Sequence, residues 1–141
     1  AQFVPDMDQV RPFYTDLLGY TAVFDKDLPD GLIDEVLELP AGTHSRMAFL
    51  LQLETNTPAV DLIVCQPSGK SLADVIGPDH IGLFGLAFEV DNLAELQEKL
   101  TAAGYAVKSG PVEMEIPERG LIRSLVIAGP NQAWLEFCER D

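Results

Sequence analysis

The chain has 141 residues, 47% of them hydrophobic, with 23 acidic against 9 basic side chains and a formal charge of −14 at pH 7. That length can bury the core of one compact domain. So acidic a composition argues against nucleic acid, whose phosphates need basic partners, and would draw cations toward any cleft. No apolar run is long enough to span a bilayer and no secretory leader opens the chain, so a cytoplasmic protein without membrane partners is expected.

Ala1 to Val4 reads as the tail of a strand. Asp6 then caps a helix running to about Leu18, with Val10, Phe13, Tyr14, Leu17 and Leu18 on its buried side. Pro12 removes a backbone bond inside that helix and predicts a kink. Residues 20–24 read as a strand. Residues 25–44 form a long mixed connection with a short helical piece over 32–37, and connections of that length line or cover a site. Residues 47–53 and 60–65 read as two neighbouring strands, the second ending on Cys65. Pro67, Gly69, Gly77 and Pro78 mark a linker, with a helical turn expected at 71–75.

The second half is the clearer one. Residues 84–90 are an apolar strand, Asn92 an N-cap, and Leu93, Leu96, Leu100 and Ala103 follow at helical spacing. Glu95 and Lys99 are placed to pair along the helix, which Gly104 closes. A strand begins at 105–107, Ser109-Gly110-Pro111 reads as a turn, and 117–120 as a loop. Strands are expected at 121–128 and 133–138, joined by a turn at 129–132; Cys138, like Cys65, is expected as a buried free thiol. The opening of the chain repeats this plan. Val4-Pro5-Asp6-Met7 answers Val90-Asp91-Asn92-Leu93, and Leu18-Gly19-Tyr20 answers Ala103-Gly104-Tyr105. Cap, helix and exit together predict a duplication, with halves at 1–66 and 81–141 around a linker at 67–80.

Three motifs in order carry a family likeness: Phe13-Tyr14-Thr15-Asp16-Leu17-Leu18-Gly19, Leu86-Ala87-Phe88-Glu89-Val90-Asp91 with Ala102-Ala103-Gly104, and Gly129-Pro130-Asn131-Gln132-Ala133-Trp134-Leu135-Glu136-Phe137. The chain resembles the vicinal oxygen chelate superfamily, which holds glyoxalase I, extradiol dioxygenases and bleomycin-resistance proteins. The resemblance implies an α+β fold of two βαβββ half-domains, a curved mixed sheet with a concave pocket, helices on the convex face, and a homodimer. Enzymes of that superfamily hold a divalent metal through the first and last strands of each half. Carried over by position, Glu136 and Asp61 are the last-strand ligands, and they would hold a metal if one were present. Gly85 stands where the second half would supply a histidine, and the first-half counterpart precedes Ala1. A glycine cannot ligate, and extradiol chemistry needs two histidines and a carboxylate. No cofactor is therefore expected. His80 lies roughly 16 Å along an extended strand from Gly85; His80 and His44 are both expected in loops.

On the last strand, alternation sends Trp134, Glu136 and Cys138 to one face and Leu135 and Phe137 to the other. Glu136 beside Trp134 is a candidate general base. The competing expectation is that an arginine neutralises it, with Arg46 and Arg123 opening the third strand of each half. Asp61, Gly85, Arg123, Trp134 and Glu136 form the expected ligand-binding set. The leading reading is a metal-independent small-molecule binding protein that sequesters a cationic ligand. The alternative is a lyase, isomerase or epimerase using Glu136 as proton-transfer base, with or without a divalent metal. A third class is a scaffold subunit using residues 25–44 as a partner surface.

Overall fold

A computed structural model describes residues 1–55, 58–71, 79 and 85–140. The helical turn expected after Ser71, and His80, lie outside these residues. The elements are β1 Gln2–Phe3, α1 Met7–Pro12, a π-helical turn Phe13–Leu17, β2 Thr21–Asp27, α2 Asp34–Leu37, β3 His44–Leu51 and β4 Val60–Gln66, then β5 Gly85–Glu89, α3 Leu93–Ala102, β6 Val107–Ile116, β7 Gly120–Ala128 and β8 Trp134–Arg140. They divide into two compact units, residues 1–71 and 72–141. Each unit holds one four-stranded mixed sheet, ordered β1-β4-β3-β2 and β5-β8-β7-β6. In each the first strand runs parallel to the last and the other pairs are antiparallel. The fold is α+β with two βαβββ half-domains, as the two matching helix exits predict.

In the first unit Asp6 caps α1 by accepting from the amides of Asp8 at 2.9 Å and Gln9 at 3.3 Å. Met7, Val10, Phe13 and Tyr14 are buried, as are Ala48 and Leu50 of β3 and Leu62 of β4. Pro12 has no N–H for the carbonyl one turn back, and the next turn is wound as a π-helix. The expected kink thus takes the form of a local widening.

A charged cluster ties α1 to the sheet. Arg46 donates to Asp25 through Nε at 2.8 Å and Nη2 at 3.1 Å, Arg11 reaches the same carboxylate, and Arg46 also pairs with Asp8 at 3.3 Å. The connection beyond β2 folds around a buried carboxylate: Asp34 accepts from the amides of Gly42 at 2.6 Å and Thr43 at 3.3 Å. His44 begins β3 and is not a loop residue, its Nδ1 lying 2.9 Å from Asp30.

In the second unit Asn92 accepts from Glu95 N at 3.0 Å, and Lys99 pairs with Glu95 at 2.7 Å. Leu93, Leu96 and Leu100 of α3 are buried with Leu125, Ile127, Leu135 and Phe137. The expected turn at Ser109-Gly110-Pro111 is a correction. Those residues lie inside β6, where the register against β7 shifts twice. Gly110 has φ +96, and a Cβ there would run into the Ser124 carbonyl. A bulge that presses backbone on backbone uses the same residue types as a turn.

Burial alone would raise the Asp25 carboxyl, but hydrogen bonds and charges from Arg46 and Arg11 outweigh it and hold the carboxyl below its ordinary range. A folded value below the unfolded value of about 3.9 gives stability that is present above about pH 4 and lost as pH falls through the depressed value. Asp25→Asn should cost about 2 kcal/mol at neutral pH. Denaturant titrations should show the gap to wild type closing in acid; a gap unchanged with pH would refute the ionic origin.

Candidate ligand-binding site

Parallel pairing of the first and last strands fixes which side chains share a face. Gly85 stands opposite Trp134, Leu86 opposite Leu135 and Ala87 opposite Glu136. Leu135 and Phe137 are fully buried on the α3 side, so Trp134, Glu136 and Cys138 turn to the other face, where all three are half-buried. In the first unit Val60 and Leu62 are buried on the α1 side, and Asp61 and Cys65 turn away from it. Val4 N donates to Ile63 O at 2.8 Å, and Val90 N donates to Cys138 O at 2.9 Å. Asp61 and Glu136 each precede that acceptor by one step of the strand alternation. The two acids therefore hold the same register position in the two repeats.

Glu136 accepts a hydrogen bond from Ser124 Oγ at 2.5 Å, and Cys138 Sγ lies 4.0 Å from the same hydroxyl. Burial, and then the neighbouring Glu136 carboxylate, push the Cys138 thiol up. It is held as a thiol, the form that does not attack as a nucleophile. Cys65 and Cys138 are both free, and half-buried rather than buried.

Arg123 does not join the expected ligand-binding set. It stands opposite Glu139, and its Nη2 lies 3.5 Å from Glu139 Oε2. That same oxygen accepts from Leu93 N at the start of α3, at 3.4 Å. Arg123 shares strand parity with the buried Leu125 and Ile127, so it belongs to the helix side and not to the ligand face. Arg46 likewise serves Asp25. The partner that strand parity does bring to Glu136 is Ser124, a residue the sequence reading missed although alternation on β7 pointed to it.

Asp61 Oδ1 is buried and has no hydrogen-bond partner among the described residues. A buried acceptor left unpaired costs about 1–3 kcal/mol, a cost that a donor from a ligand or water removes.

A Cβ built on Gly85 would lie 2.7 Å from the Trp134 carbonyl oxygen and 3.2 Å from Trp134 Cβ. Lys108, also missed in the sequence, lies over the indole with Nζ 4.6 Å from the ring centroid. It sits between two registered positions of β6, at the bulge that re-aims it. A depression of about 590 Å³ along Ala94, Gln97, Glu98, Thr101 and Ala102 lies on α3 and shares no residue with this face.

The metal that the resemblance implies does not fit these side chains. The histidine position carries a glycine with no room for a side chain, and one Glu136 oxygen is engaged by Ser124. Among the described residues no three His, Cys, Asp or Glu side chains come together as a ligand cluster. Gly85→Ala should destabilise the protein by about 1–3 kcal/mol and shift the emission of its single tryptophan, measured by thermal unfolding and fluorescence. An unperturbed, equally stable variant would show that the contact is slack.

The family model of the Glyoxalase/Bleomycin resistance protein/Dioxygenase superfamily matches residues 1–137. Comparison with curated proteins gives no match. Among solved structures, the chain is similar to a glyoxalase family protein of Bacillus cereus at 15% identity and a TM-score of 0.82, covering 99% of this chain and 89% of that one. It is similar to the trypanothione-dependent glyoxalase I of Leishmania major at 19% identity and TM-score 0.63, over 98% and 81% of the two chains. The antibiotic-binding protein TnmS3 of a Streptomyces species matches at 16% identity and TM-score 0.59, over 99% and 93%. Likeness at these identities carries the fold alone. With the family model spanning nearly its whole length, the chain belongs to the Glyoxalase/Bleomycin resistance protein/Dioxygenase superfamily.

Proposed function

We propose that this protein binds a small cationic molecule without the help of a metal. The observation that carries the reading is the closed position at Gly85, where the Trp134 backbone fills the space a ligating side chain would need. The faces turned away from the helices carry an acid at the same register position in each repeat, Asp61 and Glu136, with an indole beside the second; Glu89, on the same face of the second repeat, is already paired with Arg140 at 3.0 Å. Asp61 Oδ1, buried and without a partner among the described residues, supports a ligand that donates hydrogen bonds. The net charge of −14 supports a cation. TnmS3, similar in fold, is an antibiotic-binding protein, which is consistent with a sequestering role.

A second reading rests on the Ser124 hydrogen bond, which orients the Glu136 carboxylate as a proton acceptor. In that reading the protein is a lyase, isomerase or epimerase, and Glu136 moves a proton next to a carbonyl. A scaffold role through residues 25–44 has no comparable support.

One experiment separates the first two. Cationic compounds and their neutral counterparts are titrated at low and high salt, following the single tryptophan. Binding of the cation that weakens as salt rises is the expected result. Salt-independent binding of neutral compounds alone would contradict it. Turnover of a carbonyl compound that disappears in Glu136→Gln, with unfolding unchanged, would favour the enzyme.

A further inference from the structure

Trp134 already carries a cation. The ammonium of Lys108 stands 4.6 Å from the indole centroid, within the range over which the ring quadrupole attracts positive charge. Lys108 is exposed, and it comes from β6, an edge strand of its sheet, at a point where the register slips. A lysine ammonium is strongly hydrated and rides on a flexible four-carbon stem, so it leaves a ring face more readily than an arginine would. Glu136 lies on the same face of β8 as Trp134, its carboxylate oriented by Ser124.

We infer that Lys108 is a built-in competitor at this site, its ammonium holding the place on Trp134 that the cationic group of the ligand takes when it binds. The inference rests on the cationic-ligand reading above and narrows the ligand to one whose positive group is compact and weakly hydrated, a quaternary ammonium above all. Such a group loses less hydration on meeting the indole than the lysine does, and the displaced lysine returns to water. The resident lysine would set a threshold, because weakly attracted cations fail to dislodge it.

The test compares the full-length wild-type protein with Lys108→Met, which keeps the length of the side chain and removes its charge. Both are titrated with tetramethylammonium chloride against sodium chloride of equal ionic strength, and the emission of Trp134, the chain's only tryptophan, reports binding. Lys108→Met should bind about two- to fivefold more tightly, the range expected from losing one exposed cation–π competitor. Lys108→Arg should show no gain. Lys70→Met, the same change of charge on the exposed segment after β4, separates competition at the ring from a general change in net charge and should also show none. Equal or weaker binding by Lys108→Met overturns the inference, as does the same gain in Lys70→Met or the absence of a tetramethylammonium response in both proteins. If larger cationic compounds still bind wild type with salt dependence, that outcome removes only the role of Lys108. If they bind neither protein, the cationic-ligand reading itself fails.

Discussion

The backbone of Trp134 fills the space beside Gly85, and the chemistry of the second half-domain depends on that contact. β5 and β8 run parallel with these two residues opposite each other, and a Cβ at position 85 would stand 2.7 Å from a carbonyl oxygen. Carbon and oxygen do not pack that closely, so the strand pair holds its register only with glycine there. The same register turns Trp134 and Glu136 to the face away from α3. A family that uses this strand position for a metal ligand is here left with an indole, a carboxylate and a serine hydroxyl.

Charged residues at corresponding positions of the two repeats play corresponding parts. On the helix sides, acids and bases are paired: Arg46 with Asp25 and Asp8 in the first unit, and Arg123 with Glu139 in the second, where Glu139 also meets the first amide of α3. Arg46 and Arg123 hold corresponding positions, one residue beyond those paired with Ile63 and Cys138. These contacts fasten each helix to its sheet. On the opposite face of the second repeat Arg140 pairs with Glu89 at 3.0 Å, while the corresponding acids Asp61 and Glu136 stand opposite no arginine in their strand registers. The two βαβββ units thus share a structural arginine and an acidic acceptor at corresponding positions.

Much of this was legible in the sequence because it is local. Asp6 and Asn92 cap as their side-chain chemistry requires, the helix exits at Gly19 and Gly104 reveal the repeat, and alternation on β8 separates Leu135 and Phe137 from Trp134, Glu136 and Cys138. What failed depends on register between strands that are distant in sequence. Ser109-Gly110-Pro111 has the composition of a turn, yet it forms a bulge because Gly110 lets β6 press against the Ser124 carbonyl. The slip at that bulge carries Lys108 over Trp134, which no periodicity of β6 would foretell. Arg123 opens its strand close enough in sequence to suggest a partner for Glu136, but its parity is that of Leu125, which turns it to the helix side.

The central claim is that this member of the superfamily works without a metal, and metal analysis of the purified protein tests it most directly. The protein would be dialysed against zinc, nickel, manganese and ferrous ions in turn, then measured for bound metal per chain. The account predicts no stoichiometric metal with any of them. A full equivalent that is retained by wild type and lost in Asp61→Ala or Glu136→Ala would contradict it.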